Sequence, residues 1–231
     1  MNAKTDFKPA ETAVIDLYYA VHKGLRLANA RMLIALGQSD PANEAEVEAV
    51  LGKLAQHLDL CLVHLKHENA KIHALVDARA PGASGEAAED HEHHLQSFIE
   101  LRQLGEAVAV ADDAERPAAM RKLYQRFALF VAEDMEHMHE EETRLMPVIA
   151  QHFTAEEVQG IQHSIVSAIA PAAMASFMRC MLGAATRSER IATVSGMKAS
   201  MPPEVFGQIF AAVVHPQWRH DDWDEMERVL C

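Results

Sequence analysis

Histidine and glutamate side chains interrupt the apolar stripes of the predicted helices, and this pattern constrains the fold more than any other feature of the sequence. Two interruptions are pairs, His64-x-x-x-Glu68 and His137-x-x-x-Glu141. Residues four apart on a helix share one face. Buried and unpaired, these carboxylates and imidazoles would strongly destabilise the fold. Because metal coordination removes that penalty, the two pairs predict a metal site inside the protein.

The chain is predicted to be all-α, because strong helix formers dominate and runs of β-branched residues are absent. The first helix is expected from about Pro9 to Gly37. Asp40 as N-cap and Pro41 as first helical residue are expected to open a second helix that lasts to about Arg79. The inward stripes of these two helices are predicted to be Ile15, Tyr18, His22, Leu25, Asn29, Leu33 and Leu36, then Val47, Leu51, Leu54, Leu58, Cys61, His64, Glu68, Ile72 and Leu75.

Two further helices are predicted after the loop at 80–85 and after the polar break DDAERP. Each again carries polar residues on an otherwise apolar face. The stripes are His91, His94, Phe98, Leu101, Gly105 and Val108 on the third helix, and Met120, Leu123, Phe127, Phe130, Asp134, His137, Glu141, Leu145 and Val148 on the fourth.

The lone inward histidines His22 and His91 complete one ligand set from each of four helices, as expected of a metal site in a helical bundle. A single core histidine is more often a hydrogen-bonded structural residue, and a single His-x-x-x-Glu is usually an exposed pair. The prediction therefore depends on four helices sharing the pattern. The six candidate ligands are His22, His64, Glu68, His91, His137 and Glu141.

Several polar residues near these ligands have other interpretations. His94 shares the stripe of His91, so either or both could bind metal. Asp134 faces inward and could accept a hydrogen bond from a ligand imidazole, or it could be a surface acid. The histidines interpreted as flank or surface residues are His57, His67, His73, His93 and His139.

A fifth helix is predicted from the capping box formed by Thr154 and Glu157, which places the end of the metal-binding unit at residue 152 and a helical extension at 153–231. The pair His152 and Glu156 crosses that helix start and is not counted as a ligand pair. The extension is expected to supply no ligand, and it could pack on the bundle, serve a partner or form a dimer. Its predicted helix breaks are Pro171, Pro202, Pro203 and Pro216, before Trp218 and Trp223.

Imidazole and carboxylate ligands together suit iron, manganese or zinc, and a carboxylate can bridge two ions. Ferritin-like di-iron proteins instead carry Glu-x-x-His on two helices. This sequence has that spacing once, at Glu136 and His139.

Composition excludes several classes of function. The formal net charge is -13 and no run of Lys or Arg is present, which argues against a nucleic-acid partner. The sequence shows neither a leader-like apolar segment at its start nor an apolar run long enough to cross a bilayer, so a cytoplasmic location without membrane association is expected. The odd number of widely spaced cysteines, 3, argues against a disulfide framework.

The motifs resemble those of the hemerythrin HHE cation-binding family, whose pattern is a first-helix His, a His-x-x-x-Glu, a third-helix His and a second His-x-x-x-Glu. Around them, the segments 22–26 (HKGLR), Asp90-His91 and 141–147 (EETRLMP) are also similar to the family. The resemblance spans roughly residues 10 to 152. The sequence departs from the family pattern in three places. Asn69 stands where a second glutamate is common, and Ala74 stands at the position in the second helix that corresponds to Pro147 in the fourth. His91 and His94 are three positions apart, whereas the corresponding histidines of oxygen carriers are four apart.

The resemblance implies an up-and-down four-helix bundle with a di-iron centre at the six ligands, bridged by Glu68, Glu141 and an oxygen species. The leading hypothesis is a non-enzymatic protein that binds oxygen, nitric oxide or peroxide for carriage, sensing or scavenging. The alternatives are a peroxide-consuming oxidoreductase or metal-handling protein, and a metal-free interaction bundle. Iron donors of the nitrosative-stress repair type carry an N-terminal cysteine motif, which Cys61, Cys180 and Cys231 do not form.

Overall fold

The computed structural model describes residues 15–213, apart from the side chain at position 212. These residues form eight helices and no strand, which confirms the all-α prediction. Two of the long helices contain a π-helical turn. The helices are α1 (Tyr19–Gln38), α2 (Glu44–Glu68, π-turn Asn69–His73, then Ala74–Arg79), α3 (Gly85–Val110), α4 (Arg116–Glu140, π-turn Glu141–Leu145, then Met146–His152), α5 (Ala155–Ala168), α6 (Pro171–Ala184), α7 (Arg187–Ser200) and α8 (Pro203–Val213).

The starts of the first two helices differ from the sequence prediction. Helix α1 begins at Tyr19, where the carboxylate of Asp16 accepts the backbone N–H groups of Tyr18 and Tyr19 at 2.9 Å. The predicted start at Pro9 lies outside the described residues. Helix α2 is capped by Asn43, whose side chain accepts the N–H of Glu46, and not by Asp40. Asp40 caps the preceding turn through the N–H of residue 42, so the proline after it lies in that turn.

The π-turn in α2 changes which residues face inward. Leu75, predicted to be buried, is 44% exposed, whereas its neighbour Val76 is 1% exposed. A π-turn holds an extra residue and rotates the rest of the helix relative to an ideal 3.6-residue periodicity. Helix α4 shows the same change after its own π-turn, where Ile149 is buried and Val148 is only half-buried.

Helices α1 to α4 pack around a shared apolar core. Contacts link α1 to α2, α2 to α3, α3 to α4 and α4 to α1. Phe127 and Phe130 of α4 are fully buried with their rings 5.8 Å apart, and Phe130 meets Phe98 of α3 edge-on at 5.5 Å. The aromatic core therefore lies beside the part of α3 and α4 that carries the histidines.

The C-terminal extension packs on α1 through α6. A Cβ atom at Gly24 would lie 2.8 Å from the backbone nitrogen of Met181, so the two helices touch where α1 has no side chain. Lys23 also bonds Glu189 at 2.7 Å. Of the roles left open for the extension, the described residues show packing onto the first four helices.

The helix boundaries of the extension follow the predicted signals in most places. Both hydrogen bonds of the Thr154–Glu157 capping box are present, and Pro171 and Pro203 open helices. A second capping box at Thr186 opens α7, which the proline pattern did not predict. The expected features at Pro216, Trp218 and Trp223 lie outside the described residues. Within the described part of the chain, no helix combines the length and apolar character needed to cross a membrane.

We expect Gly24→Ala to lower the free energy of unfolding by roughly 1–3 kcal/mol, because the added methyl group would push against backbone rather than a flexible side chain. Gly52→Ala is the matched control, because a Cβ there meets nothing within 4 Å and alanine favours the helix. Urea denaturation of both variants checks this. Equal stabilisation by the two substitutions would contradict the close packing of α1 and α6.

Candidate metal centre

The six predicted ligands lie together inside the first four helices. Their donor atoms form two groups that each could hold an ion, and Glu68 belongs to both. All but His64 are buried, and the side chain of His64 is 14% exposed. No described residue after His152 belongs to either group. The groups are His22, His64 and Glu68, and Glu68, His91, His137 and Glu141.

The Nε2 atoms of the histidines point at the two carboxylates. One oxygen of Glu68 lies 3.3 Å from His22 Nε2 and 3.1 Å from His64 Nε2, and its other oxygen lies 3.6 Å from His91 Nε2. Oε2 of Glu141 lies 3.3 Å from His22 Nε2 and 3.4 Å from His137 Nε2. Each carboxylate therefore spans imidazoles from at least two helices, as a bridging ligand must.

Three of the histidines have the opposite ring nitrogen held by a second polar residue. His22 Nδ1 donates to Glu142 at 3.2 Å, and Glu142 in turn accepts two hydrogen bonds from Arg26. The same arrangement occurs on the other two histidines, where a carboxylate or an amide oxygen is the acceptor. The pairs are His91 Nδ1 with Asn69 Oδ1 at 2.8 Å and His137 Nδ1 with Asp90 Oδ2 at 3.3 Å.

These outer contacts fix the tautomer of each ring in its neutral form, because a proton held at Nδ1 leaves the Nε2 lone pair directed into the centre. Metal-binding histidines are held in this way in most proteins. Asn69 occupies the position where the resembled family commonly has glutamate, and its amide oxygen supplies an acceptor for His91.

The donor set fits a metal ion better than a self-contained hydrogen-bond network. His64 Nε2, Glu68 Oε2 and Glu141 Oε2 are buried without a hydrogen-bond partner among the described residues. His91 Nε2 and His137 Nε2 face each other at 2.9 Å. Natural proteins rarely leave so many buried polar atoms unsatisfied in one place. Nitrogen and oxygen donors in this mixture suit iron, manganese or zinc.

Burial and mutual repulsion separate the two carboxylates. Burial, with the charge of Glu141 beside it, raises the pKa of Glu68 to about 7. Burial also acts to raise the pKa of Glu141, but the close contact with His22 and the hydrogen bond from His73 outweigh it and hold that pKa well below its usual range. At neutral pH without metal, Glu141 is ionised and Glu68 holds a proton part of the time.

The histidines divide in a similar way. Burial lowers the pKa of His22, but its close contacts with the carboxylates of Glu141, Glu142 and Glu68 prevail and raise it well above its usual value. Burial, assisted by the charge on His137, lowers the pKa of His91 to about 3. Burial and then the charge on His22 lower the pKa of His64 as well. His64 and His91 are therefore neutral and ready to bind an ion, whereas His22 must first lose a proton.

The structure adds His73, which sequence analysis placed on the flank or surface. It is 4% exposed, its Nε2 donates to Glu141 at 3.0 Å, and its ring stacks on that of His91 at 4.9 Å. It lies five positions after Glu68, a spacing that is off the face of an ideal α-helix. The π-turn Asn69–His73 brings it onto that face. A search of the sequence for a polar residue five positions after a predicted helix ligand would have found His73, because a π-turn brings such a residue onto the same face and π-turns are frequent at functional sites.

His94 and Asp134 lie beside the centre but outside both donor groups. His94 is buried against Phe130 and the ring of His137, and its Nδ1 lies 3.9 Å from Asp134. Asp134 accepts a hydrogen bond from Asn29 at 2.6 Å and contacts none of the six ligands at hydrogen-bond distance among the described contacts. His91 as the ligand of α3, with His94 the weaker candidate, stays a prediction.

His57 is also buried, contrary to its assignment as a flank or surface residue. Its Nε2 bonds Asn29 Oδ1 at 2.8 Å, and burial lowers its pKa to about 4. Asn29 joins it to Asp134, so a polar chain runs from the core toward His94. His93 and His139 are exposed, as predicted, and His67 is half-buried.

An acidic cleft of about 540 Å³ opens to solvent beside the centre, between α3 and α4. His94 and His137 lie on its wall, and Arg126 contributes a positive charge. A cleft lined by carboxylates raises the local concentration of cations. The acidic residues on its wall are Glu86, Asp90, Glu100, Glu133, Glu136 and Glu140.

The comparisons do not assign the chain to a family. No protein-family model matches the sequence, and a search of curated proteins also found no match. Function is therefore inferred from the geometry of the centre.

We expect Asp90→Ala and Asn69→Ala each to weaken metal binding about 10- to 100-fold, because His137 and His91 would lose the acceptors that orient their rings. Glu89→Ala is the matched control, since Glu89 is the exposed neighbour of Asp90. Competition with a coloured chelator measures the affinities. Affinities within about twofold of wild type for Asp90→Ala would show that this contact does not orient a ligand.

Metal binding at pH 7 is expected to release between about one and two protons per chain, because His22 gives up its proton and Glu68 gives up part of one. Above the pKa of Glu68 that carboxyl is already ionised, so its share of the proton release falls as the pH rises above about 7. Affinity should accordingly rise with pH between 6 and 8. A pH-stat titration with Zn²⁺ measures the release, and an affinity independent of pH would contradict the assigned protonation states.

Proposed function

We propose that the chain is a hemerythrin-like protein in which α1 to α4 form an up-and-down four-helix bundle around two metal ions, most simply iron. In this proposal the centre binds dioxygen, nitric oxide or peroxide for carriage, sensing or scavenging, without enzymatic turnover. Manganese and zinc suit the same donor set. The described cysteines are free, which fits the cytoplasmic location that we propose.

One observation carries the proposal. Two donor groups from four helices meet at Glu68, and three of their histidines have Nδ1 occupied by outer acceptors. A structural network would satisfy its own donors and acceptors, whereas this one leaves carboxylate and imidazole atoms unpaired at the point of convergence. Sharing of one carboxylate by two groups supports two ions rather than one.

The bound metal would supply open coordination positions and redox chemistry for a small ligand. The chain's own residues hold the ions and control their surroundings. Glu68 and Glu141 would bridge, His22 and His64 would hold one side, and His91 and His137 would hold the other. His73 donates to Glu141 and orients that carboxylate.

Residues near His22 and in the core control protons and water. The Tyr18 hydroxyl is buried beside His22 and has no hydrogen-bond partner among the described residues, and burial followed by the charge of Glu141 raises its pKa well above the usual value. It therefore keeps its proton and is a donor for a ligand at the centre. Leu65, Phe98 and Phe130 are each at most 5% exposed and keep bulk water from the core side.

We expect purified protein supplied with ferrous iron to retain about two metal ions per chain, with near-ultraviolet absorption typical of an oxo bridge. Glu68→Ala and Glu141→Ala should each lose metal, because the shared carboxylates are removed. His152→Ala, at an exposed site near the end of α4, is the control and should keep its metal. Elemental analysis checks all four proteins, and less than about one ion per wild-type chain would overturn the proposal.

Metal handling, in which the ion is cargo, is the second candidate, and the acidic cleft favours it. The cleft offers a cation a route to His137 through carboxylates such as Glu133 and Glu136. Transfer of iron to an acceptor protein much faster than spontaneous loss would favour this role. Retention of iron through repeated binding of oxygen or nitric oxide would favour the first.

A further inference from the structure

An apolar pocket lies on the side of the centre opposite the acidic cleft. Its volume is about 160 Å³, and α1, α2, α5 and α6 form its walls. The inner wall contains His64 and Glu68, two of the candidate ligands. The pocket therefore joins the C-terminal extension directly to the proposed centre, although the extension supplies no ligand of its own among the described residues.

The lining of the pocket defines the chemistry of its occupant. Among the described residues no Lys or Arg lines it, and its two acids, Asp16 and Glu68, would repel an anion. The outer walls are largely aliphatic, aromatic and thioether side chains. An engineered cavity of roughly 150 Å³ lined by leucine, isoleucine and phenylalanine stays dry and binds benzene. This pocket has a similar volume, and its lining adds polar residues: Asp16, His64, His67, Glu68 and Gln162. The side chains that dominate these walls are Val21, Ile165, Val166, Met174, Phe177 and Met178.

Helix α6 closes the pocket over the centre. The ring of Phe177 lies 6.4 Å from that of His64, and Phe177 is 4% exposed. Met174 and Met178 lie on the same helix, and flexible thioethers adapt to the shape of an apolar guest. The close contact at Gly24 holds α6 in this position.

We propose that this pocket binds a small, uncharged, apolar organic molecule about the size of benzene and holds it against His64 and Glu68. The shape and lining of the pocket support the binding of such a molecule, whereas its position next to a metal centre rests on the proposed function. The extension then has a specific role, because it forms the chamber in which the centre meets an apolar molecule.

Benzene is the probe, titrated by NMR into metal-free protein and into protein supplied with Zn²⁺. One benzene is expected per chain. Ala20→Phe should weaken binding at least about tenfold, because position 20 lines the pocket and the added ring takes its space. Ala55→Phe is the matched control, an alanine to phenylalanine change on α2 that lines a different groove. It should leave benzene affinity unchanged.

Val166→Phe is the second pocket variant, from α5 on the opposite wall, and circular dichroism checks that each variant is folded. No binding of benzene by wild type, or equal affinities of wild type and both folded pocket variants, overturns the proposal. Equal loss with Ala55→Phe also overturns it. Benzene binding by a protein that takes up no metal would support the pocket proposal and contradict the proposed metal centre. Metal uptake by a protein that does not bind benzene would support the metal centre and contradict the pocket proposal.

Discussion

The structure depends on the burial of two carboxylates, Glu68 and Glu141, among imidazoles at the centre of the protein. Each is at most 3% exposed, and each lies within about ion-pair distance of histidines on other helices. Buried charges of this kind destabilise a fold unless they are paired or bind metal. The helices that carry these side chains must therefore pack so that their ligands meet at one point, and the packing of the first four helices satisfies that requirement.

The two π-turns show how the helices meet that constraint. The first begins at Asn69, directly after the buried Glu68, and the second begins at the buried Glu141; each spans five residues. In α2 the turn places Asn69 against His91 and His73 against Glu141. One helix thereby makes two additional polar contacts while its backbone hydrogen bonding continues. The residues beyond the turn are rotated relative to their positions in an ideal α-helix.

The all-α class, the six converging residues and the capping box at Thr154 were predictable, because they depend on local spacing and capping chemistry. Leu75, His73 and His57 were assigned wrongly for physical reasons. A fixed 3.6-residue period cannot register a π-turn, which moved Leu75 outward and His73 inward. His57 is buried because Asn29 on another helix satisfies it, and the packing of α6 on Gly24 is equally a contact between distant segments. Such contacts have no local signal in the sequence.

Anomalous X-ray diffraction at the iron edge, from crystals of protein prepared with ferrous iron, tests the central claim most directly. We expect two anomalous peaks inside the first four helices, one between His22 and His64 and one between His91 and His137, with Glu68 and Glu141 between them. A map without a peak among these residues, or with iron bound only in the acidic cleft outside them, would contradict the central claim.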